Sequence, residues 1–228
     1  NKCNFCIGTD RPELFDGYPC RTLELRKDLL ENWSLGNRNH FGIKLKGLEW
    51  AANSSNEKNI LLLDTDMVWK KKPEQIIKSL DNSTFALYRN EGNIFGSKNK
   101  SIQQFEIGLK EKTFQFQAGV YQISEYSQMW GSAIIGFTSQ NSRKLADAFD
   151  LFEILDSHVE AHTVEQFALA EVIRLDGLKK FECQHFVSNW SSIGRKNYAT
   201  PVLADFFNTY GENSFEAHLK HVHEIRIK

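Results

Sequence analysis

The segment Asn59-Ile60-Leu61-Leu62-Leu63-Asp64-Thr65-Asp66 joins a short, continuous apolar run to two acidic residues. An apolar run of this length, bounded by polar residues, suits a strand covered on both faces. In open α/β sheets ligands bind beyond the carboxyl ends of the strands, and Asp64 and Asp66 stand at such an end. Residues i and i+2 of a continuing strand point the same way, so both carboxylates can reach one cation. Magnesium and manganese prefer oxygen ligands and commonly take one or two carboxylates together with substrate phosphates. A diphosphate leaving group uses such a cation because charge builds on it as the bond breaks. Asp-x-Asp is a frequent triplet; its place behind an unbroken apolar strand is what singles this one out.

Working outward, strands and helices alternate. Upstream, residues 5–9 read as a short strand and residues 22–32 as a helix carrying Leu23, Leu25, Leu29 and Leu30. Residues 40–53 read as a second helix, with Phe41, Leu45, Leu48 and Ala52 on one face. Downstream, Pro73 suits the first turn of a helix over residues 73–80, and residues 83–88 suit a strand. Residues 114–123 alternate Phe114, Phe116, Ala118 and Val120 with Gln115, Gln117 and Gly119, the pattern of one half-exposed strand. Residues 133–137 read as a buried strand. Residues 140–156 form an amphipathic helix through Leu145, Ala148, Phe149, Phe152 and Leu155. Thr163 and Gln166 form a capping box before the helix carrying Phe167, Ala168 and Val172. A strand near 181–187 and one or two C-terminal helices complete an α/β layer fold. Residues 1–228 are expected as one domain, with 185–228 its C-terminal helical portion.

Composition narrows the function classes. Of 228 residues, 41% are hydrophobic and 25% charged, the profile of an average globular chain rather than a disordered one. The 28 Lys and Arg nearly balance 29 Asp and Glu, which argues against a nucleic-acid partner while leaving room for a local basic pocket. Apolar runs such as Ile60–Leu63 fall far short of the about 20 residues of a membrane span. The four cysteines, Cys3, Cys6, Cys20 and Cys183, are sparse and irregular, so free thiols in a reducing, cytoplasmic setting are expected rather than a disulfide framework. The lone Cys3-x-x-Cys6 lacks the second pair that a zinc site needs.

The segment around Asp64 and Asp66 resembles the GT-A superfamily of nucleotide-sugar-dependent glycosyltransferases, and the resemblance continues along the chain. Lys44-Leu45-Lys46-Gly47-Leu48-Glu49-Trp50-Ala51-Ala52 looks like the helix with a basic residue that precedes the metal-binding strand. Trp130-Gly131-Ser132-Ala133-Ile134-Ile135-Gly136-Phe137 is similar to the small-residue segment that enters a strand beside the sugar. Val164-Glu165-Gln166-Phe167 is similar to the acidic-Gln-aromatic helix start that follows it. His185-Phe186 and Lys196 resemble a His-aromatic…Lys signature, and Thr9-Asp10-Arg11-Pro12-Glu13 the end of an early strand. The resemblance implies a Rossmann-type mixed sheet flanked by helices, a UDP-sugar donor, manganese or magnesium, and a glycan acceptor.

Residue by residue, it implies Asp64, Asp66 and His185 at the metal, with Asp64 also placed to touch the ribose. It implies Lys44, Arg195 and Lys196 at the diphosphate and Gly131 and Ser132 at the sugar. Glu165 and Gln166 fall on the acceptor and catalytic side, and the His…Lys pattern leans towards retention at the anomeric centre. The family's first strand–helix unit has no plain counterpart upstream of Asp64. Each residue also has a plainer reading: Glu165 as an acid offsetting the helix dipole, Gln166 as a cap, His185 as a core histidine. His218, His221 and His223 compete for the metal, and Trp130 and Trp190 are candidates for sugar stacking. Two other classes remain open. A haloacid-dehalogenase-like phosphatase would use Asp64 as nucleophile, and a non-catalytic sugar-binding protein would keep the fold alone.

Overall fold

The computed structural model describes residues 4–211 and 215–225. In chain order the strands and helices are β1 (Phe5–Thr9), β2 (Cys20–Glu24), α1 (Lys27–Trp33), α2 (Gly42–Asn53), β3 (Asn59–Leu63), β4 (Met67–Trp69), α3 (Glu74–Ser79), β5 (Thr84–Leu87), β6 (Asn90–Asn93), α4 (Lys100–Leu109), β7 (Phe114–Phe116), β8 (Gly119–Tyr121), β9 (Gln128–Trp130), β10 (Ile134–Thr138), α5 (Arg143–Asp156), α6 (Val164–Leu175), β11 (Lys179–Glu182), β12 (Val187–Asn189), α7 (Ile193–Tyr210) and α8 (Phe215–His221). The chain is mixed α/β. It divides into two compact units, Leu30–Ser188 and the remainder on either side.

The larger unit is built on a four-stranded sheet of order β11-β5-β10-β3. β10 runs antiparallel to both β3 and β5, and β11 runs parallel to β5. Three strands therefore point one way and the most deeply buried one, β10, points back. The expectation of a strand covered on both faces fits β10, whose five residues are all buried, better than β3. Every residue of β3 is half-buried, because the ladder to β10 covers one of its edges while its apolar side chains pack at the margin of the core. Gly136 in the middle of β10 makes the sheet's closest approach. A Cβ there would lie 2.9 Å from Leu61 Cδ1 and 3.0 Å from Ala86 Cβ. Phe85 and Phe137 stack in the core with centroids 5.7 Å apart.

Helices α2, α5 and α6 pack against one another. The helix expected at 140–156 is α5, and its Leu145, Ala148, Phe149, Phe152 and Leu155 are buried. Gly42, at the start of α2, lets that helix close onto α5: a Cβ would lie 2.6 Å from the Phe152 ring and 2.4 Å from the Trp33 carbonyl oxygen. Helix α6 is buried almost throughout, with Phe167 against Phe105 at 4.6 Å. Its interior acid, Glu171, is fully satisfied, accepting from Tyr121 and Ser127 hydroxyls and from the Arg174 guanidinium. Burial pushes the Cys183 thiol up to about 12, so this cysteine is an inert core residue.

Several local expectations are corrected. The helix expected over 22–32 begins only at Lys27, because Cys20–Glu24 pairs in parallel with β1 and the Leu25 amide donates to the Thr9 carbonyl. The single strand expected over 114–123 is a hairpin. Phe114 pairs with Tyr121 and Phe116 with Gly119, whose φ of 140° suits glycine. The strand expected at 181–187 is two strands, β11 and β12, parted at Cys183–Phe186. The capping box is absent: the Thr163 side chain caps nothing. Cys3 lies outside the described residues, while Cys6, Cys20 and Cys183 are free thiols.

In the smaller unit His218 is buried, its Nδ1 bonded to the Tyr18 hydroxyl and its Nε2 to the Gly211 carbonyl. Rings of Phe206, Phe207 and Phe215 surround this pair. No helix among the described residues is long and apolar enough to cross a membrane.

The close approach at Gly136 gives a direct test. Gly136→Ala forces β3 and β5 apart and costs about 1–3 kcal/mol, as overpacking does. A urea-denaturation midpoint that falls with unchanged slope is the expected result.

Candidate functional site

The register of the central sheet assembles the site. Leu63 pairs with Ile134, and the Asp64 amide donates to the Ala133 carbonyl at 3.0 Å, carrying the ladder one residue past the strand. Asp64 thus lies beside Ser132-Ala133 at the carboxyl end of β3. Next door, Tyr88 donates to the Gly131 carbonyl and Gly131 to the Arg89 carbonyl, which ties the same segment to the carboxyl end of β5. Helix α6 points its first turn at this corner, and α2 passes alongside it.

Six segments contribute to one hydrogen-bonded network. Lys44, on α2, places Nζ 2.8 Å from Asp64 Oδ2 and 3.4 Å from Ser132 Oγ. The Ser132 hydroxyl donates to Glu165 Oε1 at 2.7 Å, and its amide lies 3.4 Å from Gln166 Oε1. The Gln166 amide nitrogen continues to Glu91 Oε2 at 3.4 Å and to Met129 Sδ at 3.2 Å. Gln166 therefore turns away from the helix end and towards Ser132. Lys44, Asp64, Ser132, Glu165 and Gln166, five residues singled out in the sequence, meet here, and Gly131 is adjacent. Glu91 was not singled out. Its signal in the sequence is Asn90-Glu91-Gly92, a glycine inside a strand pattern that marks a bulge.

The electrostatics are uneven. The Lys44 and Asp64 side chains are 18% and 27% exposed, so their ion pair sits at the surface of the core with one side open. Burial pushes the Asp64 carboxyl up, and the Lys44 ammonium pulls it back down. Glu165 is 1% exposed. Burial dominates there too and raises its carboxyl above the usual range, against the opposing pull of Lys44 and the Ser132 hydrogen bond. Its second oxygen, Oε2, is buried without a hydrogen-bond partner, an arrangement that favours the protonated acid. At this depth Glu165 communicates with the surface through Ser132.

The strand expected to continue through Asp64 and Asp66 ends at Leu63: Thr65 and Asp66 form a turn closed by the Met67 amide on the Asp64 carbonyl at 3.1 Å, and Asp66 is half-buried and near enough for its charge to raise the Asp64 carboxyl. His185 is exposed in the segment after β11; the adjacent Phe186 carbonyl accepts from the Lys70 and Lys71 amides, just beyond β4. No group of three or more His, Cys, Asp or Glu side chains among the described residues is gathered as a metal set. Arg195 and Lys196 occupy the first turn of α7 in the smaller unit. The Arg195 amide is capped by Ser192, and its guanidinium bonds the Asn189 carbonyl and lies 6.0 Å from the Trp190 ring. The rival histidines are engaged locally: His218 through both ring nitrogens, and His221 with Glu224 at 2.7 Å. Trp130 is 8% exposed, which makes it a core residue rather than a stacking platform.

No protein-family model matches the chain. No curated protein matches it either.

Glu165 makes stability depend on pH. Its native carboxyl binds a proton more tightly than the unfolded one, so its contribution is largest below about pH 4.3 and is lost as pH rises through the raised native value. Thermal melts from pH 4 to pH 9 should show this decline in the wild type. Glu165→Gln, which mimics the protonated acid, should flatten it. Parallel profiles for the two proteins would contradict the assignment.

Proposed function

We propose that the chain is a metal-dependent glycosyltransferase of GT-A type that moves a sugar from a nucleotide-diphosphate donor, a UDP-sugar, to an acceptor hydroxyl on a glycan. The observation that carries this reading is the network Asp64–Lys44–Ser132–Glu165/Gln166, drawn from four separate segments to the carboxyl end of β3. Ligands of open α/β sheets bind at such ends. The sheet, with three strands one way and β10 reversed, supports a mixed Rossmann-type architecture.

The donor set fits a hard divalent cation. Two carboxylates two residues apart, one open to solvent on one side, leave most coordination positions for diphosphate oxygens and water, as magnesium and manganese prefer. Asp64 and Asp66 would hold the ion, with His185 proposed as a third ligand. Bound there, it would neutralise charge on the departing diphosphate.

The chain's own residues supply the rest. The Lys44 ammonium faces the same diphosphate and holds Asp64 in place before a ligand arrives, which lowers the ordering cost of binding. Gly131 and Ser132 are proposed to lie beside the sugar. The Ser132 hydroxyl accepts from Lys44 and donates to Glu165, and so links the partly exposed Lys44–Asp64 pair to a buried acid. A carboxyl raised above its usual range is a candidate for acid–base work.

Calorimetric titration with UDP, with and without manganese, tests the reading. Wild-type protein should bind UDP in a manganese-dependent way. Asp66→Ala should lose at least tenfold of that affinity, and Lys44→Ala should weaken UDP binding by a similar factor, as expected for a charge-assisted contact of about 1.5–3 kcal/mol. Absence of UDP binding together with magnesium-dependent hydrolysis of phosphate esters would replace the transferase with a phosphatase using Asp64.

A further inference from the structure

Glu91 reaches the site by a backbone irregularity. In the β6–β9 pair, Asn90 stands opposite Trp130 and Gly92 opposite Met129, so Glu91 is the extra residue of a β-bulge. The bulge is locally built: Gly92 has a φ of 105°, open to glycine, and its amide donates to the Asn90 side chain at 2.8 Å. Bulges re-aim side chains and recur beside active sites. This one turns Glu91 towards Gln166, whose amide nitrogen lies 3.4 Å from Glu91 Oε2, while Arg89 Nε holds Oε1 at 3.2 Å.

Gly131 leaves the space that the carboxylate uses. A Cβ on Gly131 would lie 3.3 Å from Glu91 Oε1 and 3.2 Å from the Tyr88 ring. The network's two ends differ in reach. Glu165 is 1% exposed, with one oxygen unpartnered in the interior, whereas the Glu91 side chain is 24% exposed. On the Gln166 side of the network, Glu91 is the carboxylate that a ligand can touch directly. A carboxylate fixed by Arg and Gln on one side, with open acceptor positions on the other, is chemically matched to sugar hydroxyls, which donate hydrogen bonds.

We infer that Glu91, steered by the bulge and seated over Gly131, is a specificity-determining residue that accepts hydrogen bonds from hydroxyls of the donor sugar. The inference rests on the nucleotide-sugar reading and adds to it a residue outside the resemblance. Glu91 recognises the sugar ring and leaves the nucleotide to the Asp64 side of the network.

The test separates the two levels. Manganese-loaded wild-type protein is titrated with UDP and with UDP-glucose, UDP-galactose and UDP-N-acetylglucosamine, and the gain in affinity of each sugar nucleotide over UDP is recorded. At least one should bind tenfold or more tighter than UDP. Glu91→Ala should remove that gain while keeping UDP affinity within about twofold, and Glu91→Gln, which keeps an acceptor oxygen, should retain part of it. Gly131→Ala, which crowds the carboxylate without removing it, should also reduce the gain. Unchanged UDP affinity serves as the folding control for each variant. A gain that survives Glu91→Ala, or a wild type that prefers none of these sugar nucleotides to UDP, overturns the inference alone. A wild type that binds no UDP overturns the underlying reading and this inference with it.

Discussion

The antiparallel register between β3 and β10 governs the site. With Leu63 opposite Ile134, the residue after β3 meets the residue before β10, and Asp64 and Ser132 become neighbours across one ladder. A slip of one residue would send every side chain of β3 to the other face. It would carry Asp64 away from Lys44 and Leu61 away from Gly136. The sheet is at its closest at Gly136, where a Cβ would lie 2.9 Å from Leu61 Cδ1 and 3.0 Å from Ala86 Cβ.

The chemistry of the corner follows from what surrounds it. Lys44 serves Asp64 and Ser132 together. Its position depends on α2 lying close against α5, which Gly42 permits. Glu165 and Gln166 arrive on α6, a helix so thoroughly packed that its first turn is held firmly. Burial alone would raise both Asp64 and Glu165; Lys44 opposes that rise at both positions. One ammonium thus balances two carboxylates of unequal depth, and the shallower is the better placed to meet a ligand.

Much of this was legible in the residues themselves. Apolar periodicity located α2 and α5, and short apolar runs located β3 and β10. Lys44, Asp64, Ser132, Glu165 and Gln166 are legible through the motifs that carry them. The misreadings have physical causes. The leucines of 22–32 fit a helical face, yet Cys20–Glu24 gains more from backbone pairing with β1 than from helix formation. The alternation over 114–123 reads as one strand in the sequence, yet the two-residue connection switches the inward face from Phe114 and Phe116 to Tyr121 and leaves Val120 exposed opposite Gln115. Gln166 has the spacing of a capping residue, but Ser132 and Glu91 offer its amide partners from the sheet. Glu91 escaped notice because a bulge changes where a side chain points without changing the local sequence pattern, except for the glycine that follows.

The central claim is that the carboxyl end of β3 binds a nucleotide diphosphate through a divalent cation. A crystal structure of the protein grown with UDP and manganese tests it most directly. The account predicts a metal bound by an oxygen of Asp64 or Asp66, bridging to the diphosphate, with Lys44 within hydrogen-bonding distance of a phosphate oxygen. UDP and metal bound elsewhere on the chain, with the Asp64–Lys44–Ser132 corner empty, would contradict it.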